Sequence, residues 1–128
     1  MTREPTTLLT YFRDTTHAGD IFDDNSTYVT RHTVGRIENT AQLILSIGWA
    51  KGSCQQARFK AAGSSTLIGG AQFLCEHIEG KCFSQLLKLT DTVILEHLKL
   101  PMSKRHIAMM LIQALHNSIK EAQIYRGE

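Results

Sequence analysis

The side chains with most chemistry to offer in this 128-residue chain are three cysteines, Cys54, Cys75 and Cys82, and six histidines, His17, His32, His77, His97, His106 and His116. A thiolate is a soft ligand for zinc, copper or an iron–sulfur cluster and a strong nucleophile, while imidazole is both a metal ligand and a proton carrier near neutral pH. Spacing selects among these uses. The cysteines are 21 and 7 positions apart, which fits no CxxC zinc or redox pattern, and an odd count does not make a secreted disulfide framework. They read as small buried or half-buried residues. The histidines show neither HxH nor HExxH spacing, so His17, His32, His77, His97 and His116 read as solvated groups and His106 as a polar residue at a helix N-terminus. Ser64 reads as a helix cap, because spacing assigns it no His–Asp pair for nucleophilic work.

Charge and composition exclude several classes. Fourteen basic side chains against twelve acidic ones leave a formal charge of +2, and the bases are scattered, Lys104-Arg105-His106 being the densest cluster. Phosphate binding wants a basic stripe, so no nucleic-acid partner is expected. No apolar run approaches the roughly 18 residues of a membrane span, and the N-terminal residues lack an apolar signal core. With cysteine usage of this kind, a cytoplasmic, reducing location and no membrane contact are expected. The 42% apolar content suits one domain over residues 1–128 whose core needs no disulfide or metal staple.

The elements that must position these groups follow from periodicity. The first 40 residues hold ten of the thirteen threonines and few large apolar groups, and are expected to be the less ordered segment, with a short helix near Leu8 to Phe12 and an edge strand from Thr27 to Val34. Ala41 to Ile47 predicts a central strand, Trp49-Ala50-Lys51-Gly52 a hairpin, and Cys54 to Ala61 a third strand with Ala57 and Phe59 on one face and Arg58 and Lys60 on the other. After Gly63 the period changes to 3.6. Ser64 to Thr66 cap a helix that ends at Gly80, Phe83 to Leu87 form a short one, Thr90 caps a helix ending at Leu100 before Pro101, and Ser103 caps a long amphipathic helix to about Ile124. Gly69-Gly70 falls inside a helical pattern and marks close packing, not a phosphate cradle. Three strands followed by helices predict an α+β fold, a three-stranded antiparallel sheet packed against several helices.

The segment Ala57-Arg58-Phe59-Lys60, then Gly63, Gly80-Lys81, Thr90-Asp91, Leu98 to Pro101, Lys104 and His106 resembles, without a gap, the IscU/NifU-type iron–sulfur cluster assembly scaffolds. The likeness covers about the second half of the chain. A looser match joins Tyr11 and the stretch to Gly19 to the family's Tyr-Glu-Asn-Pro-Arg-Asn-Val-Gly.

The resemblance implies a [2Fe–2S] cluster built on three cysteines and a histidine or aspartate at one end of the fold. The family's cysteine positions fall here on Ile37 or Glu38, on Ser64 and on Ile107, and its aspartate falls near Thr40. Of the ligand set, His106 stands. Iron in a cluster is held by thiolates, whereas a serine hydroxyl does not readily ionise and isoleucine has no lone pair, so the chain is expected to keep the fold and lose the chemistry. Cys54 and Cys82 should lie at the other end of a strand and of a helix ~24 Å long, with Cys75 also remote from His106.

Leu100-Pro101-Met102-Ser103-Lys104 resembles the family's chaperone-recognition loop with Met-Ser in place of Pro-Val. Without the second proline the extended form is less pre-organised, and chaperone binding is not expected. The reading is therefore a scaffold-like protein, not an enzyme, without cofactor, that acts by binding a cysteine desulfurase or another assembly partner. Two alternatives stand beside it: a weak Zn or Fe site, or small metal-dependent enzyme, at His106 and Glu38, and a fold reused for an unrelated interaction.

Overall fold

The computed structural model describes residues 6–21, 28–36 and 41–126. In chain order these are α1 (Thr6–Arg13), β1 (Tyr28–Arg36), β2 (Ala41–Ala50), β3 (Ser53–Ala62), α2 (Ser65–Ile78), α3 (Phe83–Leu86), α4 (Asp91–Leu98), a 3-10 turn (Met102–Lys104) and α5 (Arg105–Arg126). The strands form an antiparallel sheet in the order β1-β2-β3, so the apolar run after residue 41 is the central strand, as expected.

Alternation decides which face of the sheet is buried. Leu43, Leu45, Ile47 and Trp49 point to one side of β2, and Ala57 and Phe59 of β3 join them, all at 3% exposure or less. Leu45 pairs with Phe59 and Ile47 with Ala57. Arg58 and Lys60 point the other way, half-buried and exposed. A bulge between Gly48 and Trp49 then shifts the register so that Trp49 faces Cys54. On this buried face the Trp49 indole donates to Thr30 Oγ1 at 2.9 Å. Ala50 and Ser53 close the β2–β3 hairpin over Lys51 and Gly52, both at positive φ (55° and 76°), the conformation a two-residue turn needs.

Helices α2 and α5 cover the buried face. Gly70 of α2 lets Leu111 of α5 approach until a Cβ there would sit 2.8 Å from its Cδ1, and Gly69 opens the same helix to Leu8 and Phe12 of α1. The glycine pair is thus a close-packing site, as its place in a helical pattern predicts. Leu8, fully buried, anchors α1 on α2, and Tyr11 meets Phe73 edge-on with centroids 5.4 Å apart. The threonine-rich first 40 residues therefore contain a helix that packs through two large apolar side chains.

Two helix boundaries differ from the sequence expectation, and one expected cap lacks its side-chain bond. Ser103 does not cap the long helix; it lies inside the 3-10 turn, and α5 begins at Arg105. Thr90 occupies the cap position of α4, but its hydroxyl makes no capping bond. The same helix stops at Leu98 because Lys99 turns left-handed (φ 54°), its N–H reaching back to Glu96 and Leu95 carbonyls. Among the described residues no helix is long and apolar enough to cross a membrane.

Candidate functional site

The end of the sheet where β3 runs into α2 gathers the residues singled out from the sequence. Ser64 is extended (φ −73°, ψ 163°) and its Oγ accepts from Leu67 N–H at 3.3 Å, so the predicted cap is made. Helix α5 starts at this end too: Met110 lies against Gly35 and Ala41, where β1 meets β2, while Glu121, three turns on, accepts from His32 and Tyr28 in β1. The first turn of α5 thus brings His106 and Ile107 to the end of the sheet that also holds Ala62 and Ser64. His106 is exposed, whereas Ile107 is 6% exposed and joins the hydrophobic core. Glu38, with Ile37 and Thr40, lies outside the described residues. Among the described residues no group of three or more His, Cys, Asp or Glu is placed to hold a metal ion.

The model of the NifU-like N-terminal domain matches residues 4–127. The chain belongs to that family. This NifU-like domain is 28% identical over 102 residues to iron-sulfur cluster assembly protein 1 of Arabidopsis thaliana, covering 78% of this chain and 61% of that protein. It is also 28% identical over 99 residues to the iron-sulfur cluster assembly protein IscU of Plasmodium falciparum, covering 77% and 61%. The chain spans about three-fifths of the length of these curated relatives. Two solved structures share the fold: an N-terminal NifU-like protein from Brucella abortus (TM-score 0.69, 9% identity, 90% of each chain) and a putative SUF-system scaffold from Fervidobacterium islandicum (TM-score 0.68, 13% identity, 89% of this chain and 94% of that one).

The cysteines of the NifU-like domain lie toward the hairpin end of the sheet. Cys54 N–H donates to the Lys81 carbonyl at 2.9 Å, Gly80 N–H donates to the Cys54 carbonyl at 2.8 Å, and Ser53 bridges to Cys82. Burial pushes the Cys54 thiol up to about 12 and Cys75 well above its ordinary value. Cys82, half-buried, has its thiol pKa lowered, first by the Ser84 hydroxyl 3.1 Å away. One reactive thiol is expected: alkylation of the native protein at pH 8 should modify Cys82 alone, and denaturant should release the other two. Mass spectrometry of the modified peptides checks this, and fast labelling of Cys54 in the native state would contradict it.

The loop resembling a chaperone-recognition segment is folded, not extended. Leu100 N–H donates to the Leu95 carbonyl at 2.9 Å and is partly buried against the core, and Lys104 N–H returns to the Pro101 carbonyl at 2.9 Å, which closes the 3-10 turn. Arg105 Nε bonds Asp91 Oδ2 at 2.6 Å, tying the start of α5 to the start of α4, and the Asp91 carboxyl is held below its usual range chiefly by that bond.

Sequence spacing missed the polar groups that tie the first loop to the core. Four of the five histidines read as solvated have partners: His32 meets Glu121, as above, and His17, His77 and His97 make contacts of their own. His17 Nε2 meets Glu79 Oε1 at 2.7 Å, and its Nδ1 lies 2.8 Å from Gln72 Nε2. The amide is a donor, so Nδ1 accepts and Nε2–H donates to the carboxylate. Gln72, fully buried, also accepts from His17 N–H at 3.1 Å, and Glu79 Oε2 accepts from Ala57 N–H at 2.9 Å. These partners are 55 and 62 positions from His17, beyond any local pattern. His77 stacks on Phe73, the exposed His97 ring tilts against it, and the two are likewise brought together only by packing of α2 on α4.

Proposed function

We propose that this NifU-like domain serves iron–sulfur cluster assembly as a non-catalytic binding or regulatory module, engaging a cysteine desulfurase or another assembly protein without carrying the cluster itself. The observation that carries this reading is the place of Ile107. By resemblance it stands where the family has a cluster-ligating cysteine, and here it is an apolar side chain sunk in the core. The rest of the donor set fits a cluster no better: the Ser64 hydroxyl already accepts the N–H of its own helix, and a hydroxyl is a far weaker iron ligand than a thiolate. His106 remains, exposed at the same end. One imidazole does not hold a cluster, though with Glu38 it makes a weak Zn or Fe site the second reading.

Anaerobic incubation with ferrous iron and sulfide, followed by visible absorption and iron and sulfide counting after desalting, tests the reading. No stoichiometric cluster is expected, together with retention of a desulfurase in pull-down. A cluster at one per chain that His106→Ala abolishes would overturn it, and zinc or ferrous ion binding removed by the same substitution would favour the second reading.

A further inference from the structure

We propose that His77 and His97 form a two-imidazole site for a divalent transition-metal ion, joining the last turn of α2 to the last turn of α4. Their ring centroids are 5.7 Å apart and the planes are inclined at 58°. Two imidazoles on one tetrahedral ion, with metal–nitrogen bonds of ~2.1 Å, place their ring centres ~5 Å apart, so a small rotamer adjustment suffices. His97 is already oriented for this role. Its Nδ1 lies 3.2 Å from the Val93 carbonyl, which can only accept, so the proton sits on Nδ1 and the Nε2 lone pair is left for a metal.

Phe73 packs against both rings, 5.3 Å from His77 and 5.4 Å from His97, and limits their rotation. Both helices end here, at Ile78 and Leu98, and two helix C-termini direct carbonyl dipoles that favour a cation. Lys81 is the opposing charge: its Nζ donates to the His77 carbonyl. Glu76 and Glu96 flank the histidines in sequence, the Glu76 carboxylate accepting from Gln72 Nε2 at 3.3 Å, so water completes the coordination. The site is independent of Ser64, which lies at the opposite end of α2, ~20 Å along the helix. It therefore stands or falls apart from the cluster-assembly reading.

Nickel chloride titrated into the whole chain at pH 7.5, followed by amide proton–nitrogen spectra, tests the site, because bound paramagnetic Ni²⁺ broadens nearby signals. Broadening is expected first around residues 73–81 and 93–99 and not around His106 or His116. His97→Ala removes an exposed ring and should leave the fold intact while weakening nickel affinity about tenfold or more. His77→Ala should do the same where it folds. Broadening centred elsewhere, or a change below about fivefold for His97→Ala, would overturn the site.

Discussion

Replacing Leu111 by alanine is expected to cost about 2–5 kcal/mol, a large part of the ~5–15 kcal/mol that holds a domain of this size together. Leu111 is fully buried and its Cδ1 fills the notch that Gly70 leaves on α2, within reach of Leu98 on α4. Truncation opens a cavity where three helices meet. The notch makes a sharper test available. In the parent protein Gly70→Ala puts a Cβ 2.8 Å from Leu111 Cδ1, an overpacking of about 1–3 kcal/mol partly offset by the ~1 kcal/mol that alanine gains over glycine in a helix. Once Leu111 is alanine, the same methyl enters vacated space and Gly70→Ala should stabilise by about 0.5–1 kcal/mol. Urea denaturation of the two single variants and the double variant gives the coupling directly. Effects that add to within about 0.5 kcal/mol would refute the contact.

The second large effect is expected at Gly35, where α5 meets the sheet. Its φ of +86° is left-handed, and a Cβ there would lie 2.4 Å from the Ala41 carbonyl oxygen and 2.9 Å from Met110 Cε. A methionine end can swing away; a backbone oxygen in the β1–β2 pairing can do so only by parting the strands. Gly35→Ala therefore combines conformational strain with a clash, and about 2–4 kcal/mol is expected. Because Gly35 pairs with Gln42 and touches the helix that carries His106, the damage should be local before it is global. Hydrogen exchange should quicken in β1 and in the first two turns of α5 and remain slow in α2. Unchanged stability and unchanged exchange would show that this end of the sheet is looser than the packing implies.

Much of the architecture is legible in local pattern. A continuous apolar run marks β2, period-two alternation around Ala57 and Phe59 marks β3, and Lys51-Gly52 carries its own turn. The Ser64 cap lies within three residues of the N–H that it accepts. What misled was also local. Ser103 has the right type for a cap, but Pro101 and the 3-10 turn after it occupy the positions a capped first turn would need.

The cysteines show where sequence stops. Their types and spacing exclude a zinc or redox pair, and the resemblance to the scaffold family places serine and isoleucine where it has sulfur. Neither says that Ile107 is sunk in the core, that Cys54 and Cys75 are buried thiols with raised pKa while Cys82 is the acidified one, or that His77 and His97 share a face. Those properties belong to pairs of residues from different elements, such as α2 with α4 or α2 with β3. Type and period are properties of single segments and survive in the sequence alone, whereas burial, pKa and convergence of ligands are sums over neighbours that only the packed chain supplies.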